Sequence, residues 1–173
     1  MFKEIENFNL NNIFLINKID LKDVIESNPL VENYFIFRRY PSSLDINIEK
    51  TKFLAKINKN GKIFFIGSNR KLIQKNYLHN QLPFVFGNPE LIDFFNIKEI
   101  IDKSKISYSE IKNLYFFPSK RWDLRLKNNT LVKLPRNFSV EHLNDLYKFL
   151  ENYKIEKFTV VDARINNQII LNE

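Results

Sequence analysis

The sequence predicts an α+β fold in two units, residues 1–57 and residues 58–173, the second being a mixed β-sheet with two helices. Three observations support this prediction. A short amphipathic helix is stopped by Pro29, several segments alternate apolar and polar residues between turn residues, and another amphipathic helix follows Ser139. At 173 residues, 44% of them hydrophobic, the chain has room for one domain or two small ones.

The first unit begins with helical signals. Residues 2–10 are predicted to form a short helix, and a clearer helix is predicted from Asp20, a good N-cap residue. The apolar stripe of this helix consists of Leu21, Val24 and Ile25. Pro29 disfavours helical backbone at the residue before it, so the helix is expected to end there.

Two strands joined by a turn follow. Residues 34–37 are apolar and aromatic, which is typical of a strand. Pro41, Ser42 and Ser43 are turn residues, because proline presets φ and serine hydroxyls bond to nearby backbone. Apolar and polar residues alternate over residues 44–49, which predicts a strand with one buried face. The buried side chains would be Leu44, Ile46 and Ile48.

The middle of the chain predicts a hairpin, a loop and a helix. Asn60 and Gly61 form a hairpin-type turn before a short strand at residues 63–66. Residues 67–81 are polar and are predicted to form a surface loop. A helix is predicted to start at Asn88, a cap residue followed by proline. Its buried side chains would be Leu91, Ile92, Phe95, Ile100 and Ile101.

The last third predicts a meander, a helix and two closing strands. Residues 111–117 form a strand, and residues 122–127 and 130–134 alternate around a turn at Asn128-Asn129. Ser139 caps a helix. The apolar side chains of this helix are Leu143, Leu146, Tyr147 and Leu150, and the closing strands are expected at residues 158–161 and 168–171.

Reactive chemistry is scarce in this sequence. There is no cysteine, and His79 and His142 lie in a polar loop and beside a helix cap, without the partners of a catalytic triad. Metal-binding, phosphate-binding and dinucleotide-binding motifs are absent from the sequence. We therefore expect no catalytic, cofactor-binding or metal-binding residues and no enzyme activity.

The net charge of +7 has two explanations. It can attract an anionic partner such as nucleic acid, an anionic membrane surface or an acidic protein. It can also follow from a composition rich in lysine, asparagine and isoleucine. The lysines are spread along the chain rather than clustered, which favours the compositional explanation. We therefore expect no nucleic-acid partner.

Four groups of residues resemble the FtsQ/DivIB family of bacterial cell-division proteins. They are Pro29-Leu30-Val31 with Ile36-Phe37-Arg38, Pro41-Ser42-Ser43-Leu44-Asp45-Ile46 and Ala55; Leu82-Pro83-Phe84-Val85-Phe86-Gly87; Arg121-Trp122-Asp123-Leu124-Arg125-Leu126 with Val132-Lys133-Leu134-Pro135; and Val161-Asp162-Ala163-Arg164. Their order is that of the family, from about residue 13 to 170. The departures are Leu30 for Trp, Lys50 for Glu, Phe53 for Pro, Asn129 for Gly and Ala163 for Leu.

The resemblance implies a fold and a function. Residues 1–57 would form a POTRA-like domain whose first strand is missing, and residues 58–173 the family's β domain. The implied function is a non-catalytic scaffold of the divisome that binds FtsB and FtsL type proteins, and further FtsK, FtsW and FtsI type proteins. It would lie in the periplasm at the division septum, anchored in the inner membrane by a single N-terminal helix. No apolar run here approaches the ~20 residues that such a helix needs, and Met1 leads directly into charged residues without a signal peptide. We therefore expect a fragment or a late-assigned start; the alternative is a complete cytoplasmic chain, which would argue against the division function.

Two partner-binding sites follow from the resemblance. The first is the edge of the terminal strand, where neither proline nor lysine interrupts residues 168–171. Its residues are Ile165, Asn167, Gln168, Ile169, Ile170 and Leu171. A strand buried on one face and frayed on the other is the alternative. The second site is Arg38, Arg39 and Tyr40 on the hairpin, where the alternative is an ion pair across the hairpin with Asp45.

Seven other residues are expected to have structural roles. Asp162 and Arg164 would point to one face of a strand and form salt bridges. The others are Pro29, Pro41, Leu44, Ile46 and Trp122.

Two other functions stay open. One is a different POTRA protein, from outer-membrane assembly or secretion, although the hairpin at Trp122 is not part of that pattern. The other is a small RNA-binding protein, suggested only by charge and aromatic content, whose affinity would fall steeply with salt.

Overall fold

The computed structural model describes residues 18–40, 43–74, 81–153, 160–165 and 168–172. The predicted helix over 2–10, the turn residues Pro41 and Ser42, and His79 lie outside the described residues. The chain divides into two compact units. The first consists of Met1–Leu54 and Phe64–Lys75, and the second of Ala55–Ile63 and Asn76–Glu173.

The fold is mixed α+β, as predicted. The helices are α1 (Lys18–Ser27), α2 (Leu91–Lys103) and α3 (Val140–Tyr153), with a short 3-10 helix at Tyr108–Glu110. The strands are β1 (Val31–Arg39), β2 (Ser43–Lys50), β3 (Phe53–Lys59), β4 (Lys62–Gly67), β5 (Leu72–Ile73), β6 (Phe84–Phe86), β7 (Ile111–Phe116), β8 (Trp122–Leu126), β9 (Leu131–Lys133), β10 (Val160–Asp162) and β11 (Ile170–Asn172).

In the first unit, α1 packs its predicted stripe on the β1–β2 hairpin. Leu21 and Ile25 are buried and form a cluster with Val31. The half-buried side chains packed against this cluster are Tyr34, Ile36, Leu44, Ile46 and Ile48. The alternation predicted for the second strand is thus confirmed. The helix ends at Ser27 as expected, but it already includes Lys18, so Asp20 lies in the first turn and is not the cap.

The segment predicted as a loop over residues 67–81 contains a strand in its described part. β5 pairs with β4 in antiparallel register, Phe65 opposite Ile73. The turn before β5 is fixed by Asn69, whose Nδ2 donates hydrogen bonds to the backbone oxygens of Pro29 and Val31, each at 2.9 Å. A two-residue strand is too short to show alternation, which is why the sequence predicted a loop.

In the second unit the strands lie in the order β11-β10-β9-β8-β7-β6-β3. β8 is antiparallel to β7 and β9, β10 is parallel to β9, and β6 is parallel to β3 and β7. The predicted turns are confirmed. Asn60 and Gly61 both have positive φ, 53° and 78°, between β3 and β4, and Asn129 has φ 68° between β8 and β9.

One face of this sheet is buried. Its inward side chains come from five neighbouring strands and are almost completely inaccessible: Val85, Leu114, Leu124, Val132 and Val161. α3 begins after Ser139, as predicted, and buries Leu143 and Leu146. Because side chains alternate along a strand, the neighbours of these residues point to the opposite, open face.

The predicted start of α2 is wrong. The N-cap residue is Glu90, not Asn88, and Asp93 accepts a hydrogen bond from the Glu90 amide at 3.2 Å. The buried stripe of α2 consists of Phe94, Ile97 and Ile101. Of the predicted buried side chains only Ile101 is fully buried, and Ile92 is 50% exposed. The carboxylate of a residue three positions after the cap can accept a hydrogen bond from the amide of the cap residue. The Asn88-Pro89 pair also fits a helix start, so the sequence did not show which residue caps α2.

Candidate partner-binding edge

β11 is the outermost strand of the second unit. It pairs on one side with β10, with Val161 opposite Leu171 and Asp162 opposite Ile170. Its other side has no neighbour among the strands that the structure describes. An unpaired side leaves a row of backbone amides and carbonyls, which is a template for the addition of another strand.

The side chains of β11 are exposed on both faces of the sheet. Ile170 and Leu171 point to opposite faces and are each 45% exposed. Asn172 is exposed as well. β11 is therefore not buried on one face, which was the alternative arrangement that the sequence left open.

The strand is shorter than predicted. It begins at Ile170, and the amide of Gln168 before it bonds to the oxygen of Ile165 at 3.2 Å. Ile165 and Gln168 are exposed, and Ile169 is half-buried just before the strand. Asn167 lies outside the described residues. The edge itself consists of Ile170, Leu171 and Asn172.

An ion pair lies at the end of β10, next to this edge. The Arg164 guanidinium donates to the Asp162 carboxylate with contacts of 2.6, 2.8 and 3.0 Å. These hydrogen bonds lower the pKa of Asp162 below its ordinary value, and they raise the pKa of Arg164. The Asp162 side chain is buried, so the pair fixes the chain as it leaves β10. The two residues pair with each other, rather than with separate partners.

On the same face of the sheet, further charged residues lie beside Asp162 on β9 and β8. Lys133 of β9 lies in register between Asp162 of β10 and Asp123 of β8. Asp123 is buried and bonded to Arg121 at 3.2 Å. Burial raises the pKa of Asp123, and the Arg121 charge opposes that rise. The alternation predicted for residues 122–127 did not show that Asp123 is buried, because strand alternation says nothing about neighbouring strands.

The predicted hairpin site is arranged around one ion pair. Arg39 bonds to Asp45 of β2 at 2.6 Å, which confirms the pairing that the sequence offered as the alternative. Tyr40 is exposed beside it. Phe35 and Phe37 of β1 are also exposed, which the sequence analysis did not single out. Phe35 and Phe37 alternate with Tyr34 and Ile36 along the sequence, so they lie on the other face of β1. This alternation was the sequence signal for their exposure.

The residues expected to have structural roles are placed as follows. Pro29 accepts a hydrogen bond from Asn69, and Leu44 and Ile46 pack on the core of the first unit. Trp122 is buried, with its ring 4.8 Å from that of Phe116. Pro41 lies outside the described residues.

Ser139 and His142 form a helix cap. The Ser139 hydroxyl contacts Nδ1 of His142 at 3.0 Å, and it accepts from the His142 amide at 3.4 Å. In the described ranges no group of three or more acidic, histidine or cysteine side chains is placed to hold a metal ion. Nor does any described helix have the length and apolarity needed to cross a membrane.

The fold and this site define a class: an α+β protein whose last strand is exposed at a sheet edge. The model of the family "Cell division protein FtsQ/DivIB, C-terminal" matches residues 48–164. The chain belongs to this family of cell-division proteins. Membership does not favour the RNA-binding or secretion alternatives.

Known relatives agree with this assignment. The chain is 26% identical to cell division protein FtsQ of Rickettsia bellii over 154 residues, which covers 83% of this chain and 57% of that protein. It is also 26% identical to cell division protein DivIB of Clostridium tetani, covering 85% of this chain and 53% of that protein. The chain thus spans about half the length of these relatives.

A solved structure is also similar. It is the major extracytoplasmic domain of the trans isomer of DivIB from Geobacillus stearothermophilus, with a TM-score of 0.42 and 11% identity. The match covers 61% of this chain and 98% of that one.

Proposed function

We propose that this chain is the binding part of a non-catalytic divisome scaffold that acts at the bacterial division septum. Family membership supports the role in cell division. The observation that supports a binding role for the last strand is the exposure of Ile170 and Leu171 on both faces of β11. In the full-length protein a single helix in the inner membrane would hold this region in the periplasm.

The proposed mechanism is strand addition. A partner segment would pair with the unpaired side of β11 through main-chain hydrogen bonds, and its side chains would cover Ile170 and Leu171. The Asp162–Arg164 pair would hold the end of β10 in place, so that the edge is ordered before the partner arrives.

The proposed partners are FtsB and FtsL type proteins, and FtsK, FtsW and FtsI type proteins at other surfaces. The region 1–57 would be a POTRA-like domain, and its hairpin residues Arg38, Arg39 and Tyr40 would form a second contact. The exposure of Tyr40 and of the Arg39–Asp45 pair supports that contact.

Binding to a synthetic peptide tests the β11 site. The peptide would be the extracytoplasmic segment of the FtsB type protein from the same organism, and affinity would be measured by calorimetry at low and high salt. Ile170→Lys and Leu171→Lys place a charge on the edge, as natural edge strands do to prevent pairing. We expect each to weaken binding by about tenfold or more, which corresponds to at least ~1.4 kcal/mol.

Ile92→Lys is the matched control. Ile92 is an exposed isoleucine of the same unit, 50% exposed, but it lies on α2 and not at the edge. It should bind the peptide like the unmodified chain. Equal weakening by all three substitutions, or no effect of the two edge substitutions in folded protein, would overturn the β11 site.

A further inference from the structure

The open face of the second unit carries three aromatic side chains on the neighbouring strands β6 and β7. The ring centroids of Phe84 and Phe86 are 4.7 Å apart. Phe86 and Tyr115 are directly opposite in register, and their rings stack at 4.9 Å with 10° between the planes. We call Phe84, Phe86 and Tyr115 the aromatic patch. Phe86 is 42% exposed, whereas Phe84 and Tyr115 are half-buried.

The backbone beneath the aromatic patch is tightly constrained. Val85, between the two phenylalanines, is buried in the core. Gly87 follows with φ 90°, and a Cβ atom at this position would lie 2.2 Å from the backbone oxygen of Phe116. β6 therefore approaches the end of β7 more closely than a residue with a side chain would allow. The rings sit on a fixed base, so that little conformational entropy is lost when a partner covers them.

Two cations flank the aromatic patch on the same row of the sheet. In register, Lys56 of β3 is opposite Phe84 on one side, and Asn113 is opposite Phe84 on the other, with Arg125 next in line. Three strand spacings separate the two cations at the backbone, roughly 14 Å. Neither cation has a carboxylate partner in the part of the chain that the structure describes, and Arg125 donates instead to the oxygen of Asn129 at 3.2 Å.

We infer that the aromatic patch is a docking surface for an acidic protein segment with one apolar or aromatic anchor. The anchor packs on Phe86, and carboxylates on either side of it reach Lys56 and Arg125. The two cations are complementary to the carboxylates of an acidic segment, and the exposed ring of Phe86 is suited to an apolar anchor. β9 and β10 lie between Arg125 of β8 and the edge strand β11, so the inference does not depend on the strand-addition site.

The geometry favours a protein segment over a nucleic acid. Bases stack on aromatic faces that point outward separately. Here Phe86 and Tyr115 stack on each other, which uses one face of each ring.

A pair of hexapeptides provides the test. One contains a phenylalanine and a leucine surrounded by acidic residues, and the other has lysine in place of every acidic residue. Each is titrated into the isotope-labelled chain while amide chemical shifts are recorded. We expect the acidic peptide to shift the amides of residues 84–86 and 113–115 in a saturable way, and the basic peptide to leave them unchanged.

Variants locate the contact. Phe86→Ala should weaken binding of the acidic peptide about tenfold, as expected for a central aromatic anchor. Lys56→Glu should weaken it roughly threefold to tenfold, and more at low salt. Phe35→Ala is the control, because Phe35 is an exposed phenylalanine of the first unit. It should change nothing.

Four outcomes would overturn the inference. The first two are that the acidic peptide shifts no amides of the aromatic patch, and that both peptides bind equally well. The other two are that Phe86→Ala binds the acidic peptide as tightly as the unmodified chain, and that oligo-uridine shifts the same amides and binds more tightly than the acidic peptide.

Discussion

Two glycines with similar backbone conformations provide a stringent test of the fold. Gly61 has φ 78° and Gly87 has φ 90°, but a Cβ at Gly61 would meet no atom within 4 Å, whereas one at Gly87 would lie 2.2 Å from the Phe116 oxygen. Replacing either by alanine costs about 1–2 kcal/mol for the left-handed conformation, less ~0.4–1 kcal/mol from the restricted unfolded chain. Gly61→Ala should therefore destabilise the second unit by about 1 kcal/mol.

Gly87→Ala carries an additional steric penalty. The Cβ–oxygen distance is about 1 Å shorter than the ~3.3 Å of a close C···O contact, so β6 and β7 must separate. Overpacking of this kind costs about 1–3 kcal/mol, and we expect a total of about 2–4 kcal/mol.

Tryptophan fluorescence during urea unfolding measures both effects. Trp122, the one tryptophan of the sequence, is buried in the same unit and its ring lies 4.8 Å from that of Phe116. Its emission therefore reports on the part of the sheet that Gly87→Ala disturbs. The denaturant dependence should stay unchanged in both variants, so that the shift in midpoint gives the change in stability. Equal destabilisation by the two substitutions would refute the close approach of β6 to Phe116.

Four further predictions concern stability, each measured by urea unfolding. Leu124→Ala, at a fully buried position of the central strand β8, should cost about 2–5 kcal/mol. Asn69→Ala removes two hydrogen bonds to backbone oxygens and should cost about 1–3 kcal/mol, monitored by circular dichroism because the change is in the first unit. Arg39→Ala removes only an exposed ion pair and should cost less than about 1 kcal/mol. Arg164 lowers the pKa of Asp162, so this carboxylate stabilises the fold at pH values above the ordinary carboxyl pKa. The stabilisation is lost as the pH falls through the lowered pKa. Asp162→Asn should therefore flatten the acid side of the plot of stability against pH. An unchanged acid side in the variant, or no loss of stability in Asn69→Ala, would contradict the respective contacts.

The sequence predicted those elements in which local and tertiary preferences agree. The hairpin of β1 and β2, the β8–β9 hairpin and the helix after Ser139 all combine a clear period with turn or cap residues, and all are present. The start of α2 was mispredicted because two capping signals, at Asn88 and Glu90, lie within three residues. β5 was missed because two residues carry no period.

The candidate sites depended more on tertiary contacts. The family resemblance implied an exposed terminal strand at residues 168–171, but pairing with β10 begins only at Ile170. The aromatic patch arises from the parallel pairing of β6 with β7, which joins residues far apart in sequence. Long-range register of this kind cannot be obtained from periodicity in a single sequence.

Amide hydrogen exchange of β11 with and without the FtsB type peptide tests strand addition most directly. Exchange slows when a backbone amide gains a hydrogen-bond partner that is retained in the native state. We predict that amides of residues 170–172 become protected when the peptide binds, while those of the exposed β1–β2 hairpin do not change. Saturable binding with unchanged exchange at residues 170–172 would contradict strand addition at this edge.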